Sequence, residues 1–426
     1  MRHLPALGLA LVAGVAHAGN GLNDPGFGPD SMGMGGADLA LSRDTAALNI
    51  NPAGLAQIRT GALDLILEPY YFNDSSHRDA FGNDTKVDNP VGTLMSGGYA
   101  RRISPDLVAG VGVYVQGGVG FVYEDVATAF GTDDDMLTLF SAVKFTPGLA
   151  WQVSDRLSVG GSLGIAWSSA RQKFFPGTSI APGTAGLPPG GFQGFRVDGL
   201  AGWSGGLKLG LQYRPSKDWT IGMAYTDEIP LDLHGGDLRA NFAEDPAIGR
   251  RVRYRDAKVK GLAIAGEAGV GVAWQATPRL KLATELNWLD WSHAMKKSTL
   301  TATRPDHAAA PAQFKLEQRL DWRDQWVVAL GAEWLATDRT TWRVGINHGR
   351  NPIPDDALTP LLAVIGETSL MGGYAYQLTP EWAFEAAVHY QVKNSVTYTN
   401  PEAPFGPNAN EHWQGIAAML CLTRQW

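Results

Sequence analysis

From Gly61 onward, apolar and polar residues alternate with a period of two, the spacing of a β-strand with one apolar face. Along Trp382–Lys393, Trp382, Phe384, Ala386, Val388, Tyr390 and Val392 take one face. Ala383, Glu385, Ala387, His389, Gln391 and Lys393 take the other. Trp326, Val328, Leu330, Ala332 and Trp334 share a face with Glu333 opposite, and Trp219, Ile221, Met223 and Tyr225 share another. Between such segments one turn pattern recurs: an apolar or aromatic residue, then Pro, Asp, Ser or Thr, then a restart on Leu or Trp. Its six instances are Arg101–Leu107, Trp151–Leu157, Tyr213–Trp219, Trp274–Leu280, Trp334–Trp342 and Tyr376–Trp382. Roughly 40–60 residues separate neighbours, enough for one longer loop and two spanning strands of about 9–11 residues each. With both chain ends on the turn side, six turns imply seven hairpins. That is about fourteen antiparallel strands, and a closed single-chain barrel requires an even number. A soluble β-sandwich with its apolar face inside is the competing reading. It leaves unexplained the one-sided turns and the aromatic residues at strand ends, which suit a membrane–water interface.

The chain start supports export. Arg2 and His3 precede an apolar run, Leu4 to Val15, and Ala16-His17-Ala18 fits a small-x-small cleavage site, so residues 1–18 read as a secretory signal peptide. The alternative is an uncleaved anchor helix. Beyond it there is no run of 18 apolar residues. Cys421 is the only cysteine, so no internal disulfide holds the fold. A net charge of -7 argues against a nucleic-acid partner. With 52 Gly and 14 Trp, the exported, alternating chain reads as an all-β transmembrane barrel of the bacterial outer membrane. The final stretch places Ile416, Ala418, Leu420, Leu422 and Trp426 on one face, with Arg424 interrupting. This is similar to the C-terminal signature read by the barrel-assembly machinery, with Trp426 as the terminal aromatic. Closure then satisfies every strand edge within one chain, and a monomer is expected.

The connections opposite the turns are rich in Gly, Pro, Asp and Asn, as external loops should be. They are expected near Asn73–Val91, Gly118–Met136, Arg171–Gly199, His234–Arg255, Thr301–Lys315, Asn351–Ile365 and Thr399–Glu411. Phe174–Phe195 is the most apolar of them and reads either as a hydrophobic landing surface or as a flexible loop.

Residues 19–60 precede the first strand and do not alternate. Leu39, Leu41, Ala46, Leu48 and Ile50 follow mixed helical spacing, which predicts short helices. Asn51 can cap a new helix whose first position is Pro52, where a missing N–H costs nothing, and Pro52 pushes Asn51 away from helical angles. So small a helical segment needs a second surface to pack on, and a barrel lumen supplies one. The expected organisation is residues 19–60 as a hatch and 61–426 as the barrel.

The stretch Gly28–Ala56, "GPDSMGMGGADLALSRDTAALNINPAGLA", resembles the N-terminal hatch of the FadL outer-membrane fatty-acid transporter family, which includes the aromatic-hydrocarbon channels of the TodX type. The stretches "WRDQWVVALGAEW", "WRVGINHGRNPIPDDALTP", "WQATPRLKLATELNWLDWS" and "MAYTDEIPLDLHG" are similar to the same family, and the resemblance covers essentially the whole mature chain. It implies a fourteen-stranded barrel plugged by the hatch. A hydrophobic ligand is captured by external loops, passed to a lumenal pocket and released sideways through a gap at a kinked third strand. The family's hatch motif maps onto Asn51, Pro52 and Ala53 and is expected near that kink. In this chain the third strand carries Gly117 and Gly118, which either bend it or end it.

Other chemistry finds little footing. Asp290, Ser292 and His293 have nucleophilic-triad residue types, but adjacent strand residues point to opposite faces. Asp133, Asp134 and Asp135 read as a solvated acidic loop or as a cation site bridging lipopolysaccharide. No metal spacing or cofactor motif is present. Lys144, Lys208, Arg343 and Lys393 could meet a ligand carboxylate, or belong to a polar wall network. The expected partners are a hydrophobic small molecule, outer-membrane lipid and lipopolysaccharide. Passive uptake of long-chain fatty acids or hydrocarbons is the leading function. A general porin for hydrophilic solutes and an outer-membrane lipid hydrolase are the alternatives; no enzyme activity is expected.

Overall fold

The computed structural model describes residues 19–184 and 191–426. The expected signal peptide, residues 1–18, lies outside the described residues, as do residues 185–190 of the apolar loop. Fourteen strands form the wall among the described residues. They are β1 (Gly61–Tyr71), β2 (Val91–Ser104), β3 (Leu107–Ala127), β4 (Asp133–Gln152), β5 (Leu157–Ile180), β6 (Phe192–Tyr213) and β7 (Trp219–Thr226). Then come β8 (Glu267–Thr277), β9 (Leu280–Leu289), β10 (Gln325–Thr337), β11 (Thr340–Gly349), β12 (Thr368–Gln377), β13 (Trp382–Tyr398) and β14 (Ala409–Gln425). Every strand pairs antiparallel with its neighbours in order. The ring closes where β14 returns to β1, from Ala62 opposite Gln425 to Tyr71 opposite Ile416.

At the closing seam Gly61 and Trp426 exchange both backbone hydrogen bonds, each 3.1 Å. A β-carbon on Gly61 would lie 2.5 Å from the Trp426 ring, so any larger residue there would force the ring to shift. Arg424, which breaks the apolar row in sequence, lies over the rings of Trp382 and Trp426 at 5.5 and 5.3 Å and pairs with Glu381. It is therefore accommodated at the interface.

All six tight turns join wall strands on one side, where Trp151, Trp219, Trp274, Trp334 and Trp342 are exposed around the rim. The alternation holds as expected: on β14, Ile416, Leu420 and Leu422 face outward while Ala417, Met419 and Cys421 are buried inward.

The external side departs from expectation. β3 to β6 run 20 to 24 residues, so much of Gly118–Met136 and Arg171–Gly199 is strand rather than loop. His234–Arg255 and Thr301–Lys315 likewise lie within two hairpins, Leu233–Phe242 with Arg250–Lys260 and Lys297–Pro305 with Gln313–Arg319. Beyond the membrane these segments still pair their backbone groups, because buried N–H and C=O must be satisfied; their Gly and Asp content had masked the pattern.

Residues 19–60 fill the lumen. They form one short helix, α1 (Pro29–Gly33), and two 3-10 turns, Thr45–Leu48 and Pro52–Gln57. Asn51 caps the last of these: its backbone is extended, and its side-chain oxygen accepts from the Ala53 N–H at 3.2 Å with Pro52 first in the turn. The pair ends one turn and starts the next, as its local chemistry dictates.

Candidate functional site

The wall is interrupted between β2 and β3. Their backbone ladder runs from Ser104–Leu107 up to Gly97–Val113 and stops, although both strands continue. One side-chain bond crosses next, from the Val115 N–H to Ser96 Oγ at 3.2 Å. Higher up, the chain before β2 rejoins β3: the Asp88 N–H donates to the Val122 carbonyl at 2.8 Å, and Asn89 Oδ1 accepts from the Val122 N–H at 3.2 Å. Between these joins lies a gap whose outer rim carries exposed Val91, Met95 and Val113.

The cause lies on β3. Val115 pairs with Val143 and Gly117 with Ala142, so Gln116 is an extra residue in the strand. Such a bulge bends the bulged strand. Gly117 lets the bend press on the hatch: a β-carbon there would sit 2.4 Å from the Leu22 carbonyl oxygen. Gly118 pairs in register with Ser141, and β3 continues to Ala127, so these glycines do not end the strand.

Leu22 lines the outer of two chambers, and its chain neighbours Asn20 and Asn23 line the inner one. The outer one is apolar, lined among others by Leu22, Val119, Phe140, Leu233, Leu300 and Leu361. Leu361 comes from the loop after β11, whose Pro352-Ile353-Pro354 start folds inward, burying Ile353, Leu358, Val364 and Ile365 in the core. The inner chamber is polar. It is lined by the bulge residue Gln116, by amides such as Asn20 and Asn23, by Asp24, Asp38, Glu267 and Glu285, and by Lys144 and Lys208.

The residues singled out in the sequence divide by place. Asn51, Pro52 and Ala53 do not lie at the bulge. Asn51 Nδ2 donates to the carbonyls of Leu39 at 2.7 Å and Leu211 at 3.0 Å, and the motif packs on Gly160 of β5 and Gly210 of β6. These positions lie near the turn end of the barrel, well below Gln116; Leu22 is the hatch residue that meets the bulge. Lys144 and Lys208 face the polar chamber. The Lys208 ammonium donates to the Ile50 carbonyl at 2.9 Å, whereas Lys144 makes no hydrogen bond or ion pair with the described residues. Arg343 is not open to a ligand: it is taken up by Asp30, by Glu333 at 3.0 Å and by Glu385 at 3.1 Å. Lys393 lies outside the lumen and pairs with Asp74 at 2.7 Å.

The remaining candidates are structural. Asp134 accepts from the Gly177 N–H and the Thr178 hydroxyl, both at 2.8 Å, and Asp135 pairs with Lys173 at 2.9 Å. Asp290, Ser292 and His293 belong to the short helix α2 (Trp291–Ala294) and its cap, not to a strand. Asp290 accepts from the His293 N–H, while the His293 ring meets Glu228 at 2.7 Å and not Ser292.

Polar contacts fasten the hatch to the wall all round. Arg43 joins Asp30 at 2.9 Å and Glu333 at 2.6 Å, and Lys281 reaches Glu333 at 3.1 Å. Glu285 accepts the Asp38 and Leu39 N–H groups at 2.9 and 2.8 Å. Tyr114, Ser162 and Asn347 donate to the carbonyls of Thr45, Leu48 and Gly35. Sequence reading passed over Leu22, Gln116 and the Asp88-Asn89 rejoin. The one signal for Leu22 was an isolated apolar residue in an otherwise polar start.

This architecture is shared with solved channels. The toluene transporter TbuX of Ralstonia pickettii superimposes with a TM-score of 0.74 at 20% identity, covering 94% of this chain and 99% of that one. The toluene transporter TodX of Pseudomonas putida gives 0.77 at 17% identity, covering 95% and 100%. A FadL homologue of Pseudomonas aeruginosa gives 0.72 at 19% identity, covering 95% and 99%. No match is found among curated proteins. The family model for outer membrane transport proteins of the OMPP1/FadL/TodX type matches residues 9–423. The chain is an outer-membrane barrel and belongs to that family.

Proposed function

We propose that this protein takes up small uncharged hydrophobic molecules, of the aromatic-hydrocarbon class, and releases them sideways into the membrane between β2 and β3. The observation that carries the reading is the interrupted ladder from Gly97–Val113 to the Asp88–Val122 rejoin, adjoining an apolar chamber. A hydrocarbon in the outer chamber gains by staying out of water, at roughly 25 cal/mol per Å² of apolar surface. The descent through the hatch leads into a chamber of carboxylates, amides and lysines, where that gain is lost. The gap has an apolar outer rim of Val91, Met95 and Val113, so the sideways path leads toward lipid without crossing the carboxylates and lysines of the inner chamber.

The chamber chemistry favours an uncharged ligand over a fatty acid. Arg171, the one cation lining the apolar chamber among the described residues, is paired with Asp198 at 2.7 Å. Lys144 and Lys208 lie below it among five carboxylates, Asp24, Asp38, Asp227, Glu267 and Glu285, so a ligand carboxylate finds no excess of positive charge there. Toluene transport by TbuX and TodX, as those proteins are described, agrees with this choice.

The test closes the gap. Cysteines replacing Met95 and Val115, outward-facing residues that the Gly97–Val113 register would place opposite each other across it, are oxidised in outer-membrane vesicles, and uptake of radiolabelled toluene and of oleate is followed. Oxidation should abolish toluene uptake and reduction should restore it. Toluene uptake that survives the cross-link would rule out the lateral route, and oleate uptake outpacing toluene would overturn the ligand class.

A further inference from the structure

On one side the barrel wall is extended outward by its loops. Above β7 to β9, the hairpin strands Leu233–Phe242 and Arg250–Lys260 continue the sheet from β6, and Lys297–Pro305 and Gln313–Arg319 extend it further. The inner face of this extension is apolar: Leu238, Ala240, Val252, Tyr254, Leu300 and Ala302 are buried together. The outer face is cationic.

The register makes that face unusual. Arg196, Arg239 and Arg253 stand directly opposite one another on three adjacent strands. Like charges directly opposite repel and destabilise a sheet, so the row calls for anions from outside it. Asp198 partners Arg196 and Asp237 partners Arg253, but Arg239 forms no ion pair among the described residues. Below it on the same face follow Arg255, Lys258 and Lys260, opposite Thr303, Thr301 and Thr299. These three are exposed and also form no ion pair with the described residues.

Depth indicates the partner. Val259 pairs with Leu233, and the next residue, His234, pairs with Ala201, two residues from Trp203. Trp203 is 68% exposed and opposite Trp167, the outermost tryptophan pair on this side of the lipid-facing wall. Lys258 and Lys260 thus stand at the headgroup level. Arg253 lies about 20 Å further out along its strand, at roughly 3.3 Å per residue. A ladder of cations over that height matches a lipid whose phosphates lie at the membrane surface and whose acidic sugars rise above it. Guanidinium forks suit phosphate and carboxylate oxygens.

We propose that this outer face is a binding site for lipopolysaccharide, the phosphorylated glycolipid of the outer leaflet, with Arg239, Arg255, Lys258 and Lys260 as its ion-pairing groups. The site is separate from the transport path and does not depend on the ligand carried.

The test uses the full barrel in detergent, titrated with rough-form lipopolysaccharide or with the same glycolipid after chemical dephosphorylation, read by native mass spectrometry. The unaltered protein should retain the phosphorylated form preferentially. The variant Arg239→Ser/Arg255→Ser/Lys258→Ser/Lys260→Ser should bind it at least roughly tenfold more weakly, since a basic side chain near an anionic surface is worth about fivefold. Arg156→Ser/Lys217→Ser, at the turn side, should bind as the unaltered protein does. Heat-modifiable mobility checks folding, and Arg239→Ser alone, expected to be about fivefold weaker, serves if the fourfold variant fails to fold. Binding by the variants within twofold of the unaltered protein, or no preference for the phosphorylated form, would overturn the proposal.

Discussion

Arg343 is the cation on which the hatch anchorage turns. Its side chain is 4% exposed and contacts Asp30 of α1 together with Glu333 and Glu385 of the wall. With Arg43 and Lys281 the cluster holds three cations and three carboxylates, so its charges balance. Arg343→Met removes one cation and leaves three buried carboxylates facing two. Leaving a buried charge unpaired costs roughly 3–5 kcal/mol. The wall keeps its backbone ladders, so the loss should fall on the hatch segment that Asp30 and Arg43 hold. At about 1.4 kcal/mol per factor of ten, amide exchange across residues 29–43 should quicken by roughly a hundredfold or more, while β1 to β14 stay protected. Adding Asp30→Asn restores the balance at two against two and should recover most of the loss. Hydrogen-exchange mass spectrometry of the detergent-solubilised barrel reads both. Exchange in Arg343→Met within threefold of the unaltered protein, or a double variant looser than the single, would show that the charge cluster does not hold the hatch.

Three other outcomes follow from the geometry. Gly117→Val pushes side-chain atoms into the Leu22 carbonyl, at an overpacking cost of about 1–3 kcal/mol, and should expose Asn20–Asp24 to protease; unchanged protection would mean the bulge does not press on the hatch. Arg102 donates to the carbonyls of Ala56, Ile58, Arg59 and Pro105, fastening the chain where the hatch passes into β1, so Arg102→Ala should lower the melting temperature and Arg102→Lys should not restore it. His77 is buried in the first external loop between Glu411 at 2.6 Å and Asp79 at 3.2 Å. Burial works against its charge, but the Glu411 and Asp79 carboxylates outweigh it and push its pKa up to about 9 from 6.5. A raised folded-state pKa adds stability that is complete below about 6.5 and is lost as pH climbs through about 9. Order in this loop, followed by exchange at residues 76–86, should therefore decline over that window by up to about 3 kcal/mol, and His77→Gln should flatten the profile.

Much of the architecture was legible along the chain because a lipid-facing strand states its own orientation. Alternation at Trp382–Val392 and Ile416–Leu422 follows from the pleat and from the contrast between lipid and lumen, and needs no knowledge of neighbours. The six turns announced their side through local turn chemistry and interface aromatics. Asn51-Pro52 likewise gave its stop and restart from the cap it forms with its own next residues. The site was less accessible. Gly117-Gly118 marked a weak point in β3, but neither the extra residue Gln116 nor the missing ladder to β2 is a property of β3 alone. Whether Arg343 meets a ligand or three carboxylates depends on Asp30, Glu333 and Glu385, which lie on three separate elements.

The sequence by itself determined the alternating, fourteen-stranded barrel and the helical prefix, because period, turn chemistry and capping act over a few adjacent residues; the family came from the resemblance of the hatch and barrel stretches. Tertiary structure alone decided where the wall opens, that Leu22 rather than Asn51 meets the bulge, that Lys144 and Lys208 face the polar chamber, and that three arginines stand abreast above the membrane. Those features arise from registers between distant strands, and a register is fixed only when the ring closes at Gly61 and Trp426.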